Sequence, residues 1–419
     1  MSMLSAPGFP VDAVRARARH GTREVFPPVD EYGSRMFGAD PAHVPADDLD
    51  AARLVPPVFM PRRLEKLIEL GREPNHDDVD LSATVGGFTA PLPLYLSAFG
   101  STQLGSQELG VAASTQAARL GIPMVIGENV VPVHGYHAGS SPILNRIDAY
   151  LAALADGVGG VVVQQSTEDA DAEVWNLVYS SLAARPLLDS GRLAFELKIG
   201  QGAKPGLGGM TVLNRAAAER LAGRFAMHDV FGTDDRLRCA TPGTFTEEIL
   251  RQQIRFMRNN FPRARVWVKL HPGRDVAQAA ATAWAAGADA VTVDGAEGGT
   301  GWAPVVAMRH AGLPLAECLR RIGRPAGCLL VTGRMWEGSR AVRAFALGAT
   351  AVGLGRAALL AVAEDGTDGL VRLVAALALE ARLLISALGK YDQRALADED
   401  LWWPGTEVPA AVPDLAGTS

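Results

Sequence analysis

The sequence predicts an α/β chain folded as a (β/α)8 TIM barrel with an N-terminal extension. Three observations carry that expectation. Eight short apolar or β-branched runs recur from about residue 91 onward, each closing on glycine or polar residues. Helix-like stretches of Ala, Leu and Arg lie between them. Parallel strands need crossover connections, usually helical, and eight such units over about 300 residues match a closed barrel in number and size. A doubly wound open sheet would want a G-x-G-x-x-G turn after its first strand, and the sequence has none.

Taken in order, residues 1–90 show little strand pattern and carry Pro27-Pro28, Pro41, Pro45 and Pro56-Pro57. They read as an extension wrapping the barrel, with one helix over 61–70. The barrel occupies 91–390. Its strands fall at 93–100, 123–129, 160–166, 193–202, 265–273, 289–299, 328–335 and 350–357. Its helices fall at 106–120, 143–155, 169–184, 246–260, 276–286, 315–322, 339–347 and 369–388. Residues 391–419 form a C-terminal tail, rich in Pro, Gly and Ala beyond Trp403 and expected to be mobile.

Composition removes several function classes. The 419 residues hold 40 Lys+Arg against 46 Asp+Glu, a net charge of −6, which argues against broad phosphate neutralisation on a nucleic acid. A hydrophobic fraction of 48% excludes a mainly disordered chain. Cys239, Cys318 and Cys328 have no C-x-x-C spacing, so a disulfide framework, a four-thiolate zinc site and a four-thiolate cluster are not expected. The longest charge-free stretch, 81–107, is broken by Pro91 and Pro93 and cannot be one membrane-spanning helix. Arg15, Arg17, Arg19 and Arg23 allow a transit-peptide reading, but Asp12 and Glu24 interrupt the run and a basic surface-helix face explains it as well. A cytoplasmic setting is expected.

In a barrel, chemistry sits at the C-terminal ends of the strands. The chain has five lysines, and three of them, Lys198, Lys204 and Lys269, lie in or just after the fourth and fifth strands. A cation is costly to bury unpaired there. Either each is neutralised by a buried acid, such as Glu196 for Lys198, or all three face an anionic ligand. The sixth strand ends Asp294-Gly295-Ala296-Glu297-Gly298-Gly299-Thr300-Gly301, where four glycines let backbone N–H groups approach a ligand. The seventh and eighth end Thr332-Gly333-Arg334 and Gly353-Leu354-Gly355-Arg356, with Gly338-Ser339-Arg340 opening the next helix. Amides after strands seven and eight form the usual phosphate cradle of this fold, and an arginine adds a bidentate contact.

Thinner candidates are Gln164 and Gln165, whose amides suit a pyrimidine-like ring edge, and Glu128 and Asn129 after the second strand. His134, His137, His271 and His310 have no metal-ligand spacing, and no H-E-x-x-H motif exists, so a metal site is not expected. A serine hydrolase is excluded by the missing G-x-S-x-G elbow.

Several stretches resemble the FMN-binding synthase domain of the glutamate synthase large subunit family and its standalone relatives. They are E-L-K-I-G-Q-G-A-K-P-G-L-G-G (196–209), L-R-C-A-T-P-G (237–243), V-K-L (268–270), D-G-A-E-G-G-T-G-W-A-P (294–304), R-H-A-G-L-P (309–314) and L-S-A-F-G (96–100). The likeness covers roughly residues 80–360. It implies a barrel holding FMN at its mouth, contacted by Ser97, Ala98, Gln165, Lys269, Gly295, Gly299, Thr300, Gly333, Arg334, Gly353, Gly355 and Arg356. It implies Lys269 beside the flavin N1/O2 edge and Lys198, Lys204 and Arg238 facing the substrate anion. The chemistry it implies is hydride transfer between flavin N5 and the Cα of an α-amino or α-imino acid, with the cofactor supplying the organic reactivity.

Departures from the family pattern narrow the expectation. No catalytic N-terminal cysteine or amidotransferase domain is present, and the iron–sulfur cysteines after the eighth strand are missing from 374–388. The Pro- and His-rich insert that normally follows T-P-G is absent, which puts 2-oxoglutarate itself in doubt. The His-Gly-Gly-Arg stretch of flavin-dependent 2-hydroxy-acid oxidases is absent too. The expected protein is an FMN-dependent oxidoreductase with a small amino- or imino-acid substrate, no nucleic-acid, membrane or iron–sulfur partner, and a homo-oligomeric assembly. The alternatives are a redox-neutral isomerase and a flavin-binding subunit with little catalysis of its own.

Overall fold

The computed structural model describes residues 4–31, 44–99, 107–127, 142–166, 172–223, 225–239, 243–299 and 302–405. Eight parallel strands close a barrel: β1 (Leu94–Phe99), β2 (Met124–Ile126), β3 (Val161–Ser166), β4 (Leu193–Lys198), β5 (Arg265–Leu270), β6 (Ala290–Asp294), β7 (Cys328–Thr332) and β8 (Ala351–Leu354). Each pairs with the next in sequence, and β8 returns to β1 through Val352 opposite Leu94. The strands are near-continuous runs of Val, Leu, Ile and Ala because both faces are buried, one inside the barrel and one under helices.

The surrounding helices are α1 (Gln107–Arg119), α2 (Pro142–Ala153), α3 (Ala172–Ser180), α4 (Glu247–Asn260), α5 (Val276–Ala285), α6 (Leu315–Ile322), α7 (Gly338–Ala346) and α8 (Arg356–Glu364). The eighth-strand helix differs from expectation. The sequence pattern predicts it at 369–388, whereas α8 directly follows β8 and Gly369–Ala387 is an additional helix packed outside it. Both segments are apolar on most sides, so periodicity alone does not separate them.

Among the described residues, two additions decorate the barrel. A hairpin, Ala83–Val85 with Phe88–Ala90, closes its N-terminal end through a two-residue Gly86-Gly87 turn whose φ angles are +56° and +91°. Two positive φ values suit a type I′ turn, the geometry that matches strand twist. Val85, Phe88 and Ala90 pack with Tyr95 and Trp267 on the barrel floor, and Trp267 Nε1 donates to the Gly86 carbonyl at 3.0 Å. Between β4 and α4 the chain makes an excursion containing helix Arg215–Leu221 and a three-stranded antiparallel sheet. In that sheet Arg236–Cys239 runs between Met210–Leu213 and Ala226–His228.

The terminal segments dock on the barrel. Helix Val11–His20 lies against the outer helices, where Arg17 pairs with Glu380 at 2.6 Å and Arg15 and Arg19 approach Glu364 at 3.6 and 3.3 Å. Arg53–Leu54 pairs antiparallel with Leu401–Trp402, joining the extension to the tail. Buried Lys390 bonds Asp400 at 2.6 Å beside that junction. No helix among the described residues is long and apolar enough to cross a membrane.

Candidate active site

Strand alternation sorts the residues at the barrel mouth. Ala194 on β4, Trp267 on β5, Ala290 on β6 and Val162 on β3 all pack in the inner cluster. The residues two further along each strand therefore face inward as well: Glu196 then Lys198, Lys269, Thr292 then Asp294, and Gln164. Each strand thus begins apolar at the floor and turns polar towards its C-terminal end. The register sets Lys269 beside Lys198 on β4 and beside Thr292 on β6.

These groups form one buried network. Gln164 Nε2 donates to Glu196, and Thr292 Oγ1 donates to the other oxygen of the same carboxylate at 3.0 Å. Burial raises the Glu196 pKa, opposed by the charge of Lys269, the Gln164 and Thr292 bonds and the charge of Lys198. Lys269 lies 3.5 Å from Asp294, and both side chains are buried. Asp294 also accepts the Gly202 N–H at 3.0 Å. Of the two expectations for the lysines, the buried-acid one describes Lys269, which faces Asp294, and the charges of Lys269 and Lys198 both act on Glu196.

Gln165 is the amide expected at the flavin. Gln164 takes the inner position, and Gln165 turns its Nε2 to the Gln164 carbonyl at 3.0 Å. Ser97 is buried on β1, and Ala98 packs against the inner cluster after a register shift between Leu96 and Phe99. Gly353 makes room for Tyr95, whose ring carbon a Cβ would approach to 2.5 Å.

The glycines after β6 divide by role. A Cβ on Gly202 would overlap the Gly295 carbonyl, one on Gly298 would overlap the Asp294 carboxylate, and one on Gly295 would come 2.6 Å from Glu297 Oε2 and Leu315 Cβ. Those three glycines allow loops to converge. Gly299 opens on space instead, with no atom within 4 Å of its would-be Cβ. Thr300, also expected here, lies outside the described residues, as do Glu128, Asn129, His134 and His137.

After β7 and β8 lie the glycines and arginines expected at a phosphate. Gly333 has φ +131°, and Arg334 has φ +52°, the single positive value at a non-glycine among the described residues. Such backbone strain collects at functional sites. The Arg334 Nε is buried without a hydrogen-bond partner, while Nη1 lies 3.7 Å from Asp47. Gly355 precedes α8, has no side-chain cap, and would meet nothing within 4 Å with an added Cβ. An uncapped helix N-terminus facing open space suits an anion. Arg356, expected at the phosphate, directs Nη1 to the Leu4 carbonyl at 2.8 Å.

The candidate substrate residues sit on or beside the excursion. Lys204 is buried two residues beyond Gly202, and Pro205 lies against Gly312. Arg238 is buried on the middle excursion strand with its guanidinium 4.3 Å from the Phe225 ring centroid. Alternation places Glu196, already weighed as an acid for Lys198, on the inner face of β4, and on β6 it adds Thr292 beside Asp294. Arg340, which the sequence places at the opening of the helix after β7, is fully buried and joins Asp47, Asp50, Glu297 and the Gly333 carbonyl.

The eight parallel strands and their helices define a (β/α)8 barrel, with buried Lys269 and Asp294 on its inner face. Residues 159–364, from the start of β3 through α8, match the model of the conserved region in glutamate synthase. An archaeal-type glutamate synthase [NADPH] of Dehalococcoides mccartyi is 34% identical over 184 residues, 42% of this chain and 36% of that protein. A glutamate synthase large subunit-like protein of Rhizobium meliloti is 32% identical over 212 residues, 48% of this chain and 47% of that protein. The chain thus spans between about a third and a half of the length of these relatives. Among solved structures, a soluble mutant of (S)-mandelate dehydrogenase from Pseudomonas putida superposes with a TM-score of 0.54 at 20% identity, covering 94% of this chain and 99% of that one. A mutant flavocytochrome b2 with benzoylformate gives 0.55 at 16% identity, covering 84% and 76%. Those two likenesses establish the fold.

Proposed function

We propose that the protein is an FMN-dependent oxidoreductase of the glutamate synthase type, acting on an α-amino or α-imino acid that carries a carboxylate. The observation that carries this reading is the pairing of the open, uncapped cradle at Gly333, Arg334 and Gly355 with buried Lys269 on the inner wall. The cradle suits a phosphate monoester. Bound there, FMN supplies hydride chemistry at its ring system.

The chain's own groups then have separable tasks. Lys269 would supply positive charge at the mouth, where it would favour negative charge on a bound flavin ring. Ser97, Ala98 and the amide of Gly299 would border the ring's side of the mouth, whereas the Gly295 N–H is donated to the Thr332 carbonyl at 3.2 Å. Lys198, Lys204 and Arg238 supply cations for the substrate carboxylate, and the Phe225 face fixes the plane of the Arg238 guanidinium.

Purification followed by a visible spectrum tests the reading. A yellow protein that bleaches anaerobically with one amino acid is the expected result. A colourless protein that takes up no added FMN would refute it, and turnover without net bleaching would redirect it to the isomerase chemistry.

A further inference from the structure

We propose that Asp294 is a positioning residue that latches the loop bearing Lys204 onto the barrel mouth and sets the effective charge of Lys269. Its electrostatic half rests on the flavin reading; its mechanical half does not.

Asp294 ends β6 on the inner face and is 3% exposed. One carboxylate oxygen receives the Gly202 N–H at 3.0 Å and lies 3.5 Å from Lys269 Nζ. The other, Oδ1, is buried without a hydrogen-bond partner. Leaving a carboxylate oxygen dry and unpartnered is costly, so burial alone gives no reason for an acid here. An asparagine would keep an acceptor for Gly202 and avoid a buried charge. The acid adds one thing an amide lacks, a full negative charge against Lys269.

The surrounding glycines support the mechanical half. Gly202 and Gly298 are the positions where a Cβ would strike the Gly295 carbonyl and Asp294 itself. Their lack of a side chain lets the loops after β4 and β6 close over the carboxylate. Lys204 follows Gly202 by two residues, so the latch fixes the approach of one candidate substrate cation. The same carboxylate faces Lys269, so the substrate loop and the cofactor wall share a single anchor.

Two variants separate the halves. Asp294→Asn keeps an acceptor and removes charge, whereas Asp294→Ala removes both. Hydrogen–deuterium exchange over residues 199–209 of the purified full chain is expected to be at least tenfold faster in Asp294→Ala and near wild type in Asp294→Asn. Equal exchange in wild type and Asp294→Ala would overturn the latch. Should the alanine variant fail to fold, Asp294→Asn decides through exchange alone: protection lost on removing charge would overturn the acceptor role. In FMN-loaded protein, the midpoint potential of the flavin is expected to shift positive in Asp294→Asn, because one of the acids facing Lys269 then carries no charge. An unchanged or more negative potential would overturn the charge role. A chain that takes up no FMN would remove the flavin reading and the charge role together, with the exchange result still standing for the latch.

Discussion

Arg340 Nη1 reaches both carboxylate oxygens of Asp47, at 2.7 and 2.9 Å, across 293 residues of chain. The arginine has no exposed surface, and it also bonds Asp50 at 2.6 Å, Glu297 at 2.9 Å and the Gly333 carbonyl at 3.1 Å. Burial alone would lower its pKa, but Asp47, Asp50 and Glu297 together raise it, so it stays charged. The N-terminal extension is therefore tied by one guanidinium to the loops after β6 and β7. Asp47 also accepts the Asp50 N–H at 3.1 Å, capping the short helix Asp48–Ala51 that presents the second acid.

Arg340→Met should be among the most damaging single changes in the chain. It leaves Asp47, Asp50 and Glu297, whose side chains are 10–13% exposed, without their nearest counter-ion, and breaking a buried pair from one side costs about 3–5 kcal/mol. Arg340→Lys should recover only part of this, because an ammonium cannot reproduce the planar fork. Urea unfolding of the two variants measures the loss. Equal stability of Arg340→Met and wild type would show that the acids are solvated despite their positions.

The cradle yields a binding prediction. In Gly355→Ala the new methyl meets no protein atom within 4 Å and enters the space assigned to the phosphate. FMN affinity should fall at least tenfold, while riboflavin, which lacks the phosphate, should bind as it does to wild type. Fluorescence titration with both ligands distinguishes the outcomes. Equal FMN affinity in variant and wild type would place the phosphate elsewhere.

The barrel was legible because its signals are local and repeated: apolar runs, glycine-rich ends and intervening helical periods need no long-range knowledge. The hairpin at 83–90 had a local signal too, Gly86-Gly87 between apolar residues, but Pro-rich surroundings masked it. The lysines stood out because the chain has so few. Their partners did not. Asp294 was readable as part of a glycine-rich turn, whereas its contact with Lys269 depends on the register of two neighbouring strands. Gln164 and Gln165 were equivalent in composition, and alternation from Val162 separated them. The Arg340–Asp47 bond lay beyond sequence reasoning altogether, since nothing near either residue encodes the other.

The hairpin turn allows a sharper stability test than the core at large. Gly86 has φ +56°, and a Cβ there would overlap the Trp267 indole on the barrel floor. Gly86→Ala therefore combines backbone strain with displacement of a buried ring that donates to the Gly86 carbonyl. A loss of about 2–4 kcal/mol is expected from strain and overpacking together. Gly71 also has positive φ, +66°, but meets nothing within 4 Å. Gly71→Ala should cost about 1 kcal/mol, from the conformation alone. Thermal unfolding of the pair isolates the clash, and equal losses would mean that the indole yields without penalty.

Glu196 provides a pH-dependent test with a definite sign. Its carboxyl is held above the ordinary value of 4.5 chiefly by burial, against the pull of Lys269. Between 4.5 and its raised folded value, the folded chain binds more protons at this site than the unfolded chain. The folded state is therefore penalised increasingly as pH rises through that window, and the penalty is complete above it. Glu196→Gln removes the titration while retaining an acceptor for Gln164 and a donor for the Thr292 hydroxyl. The variant should match wild type below about pH 4.5, where both side chains are neutral, and exceed it by a margin that grows towards pH 8. Melting temperatures measured across that range carry the answer. A constant offset would mean that the carboxyl does not titrate differently on folding, and a variant less stable at pH 8 would mean that Lys269 and Lys198 stabilise the ionised form.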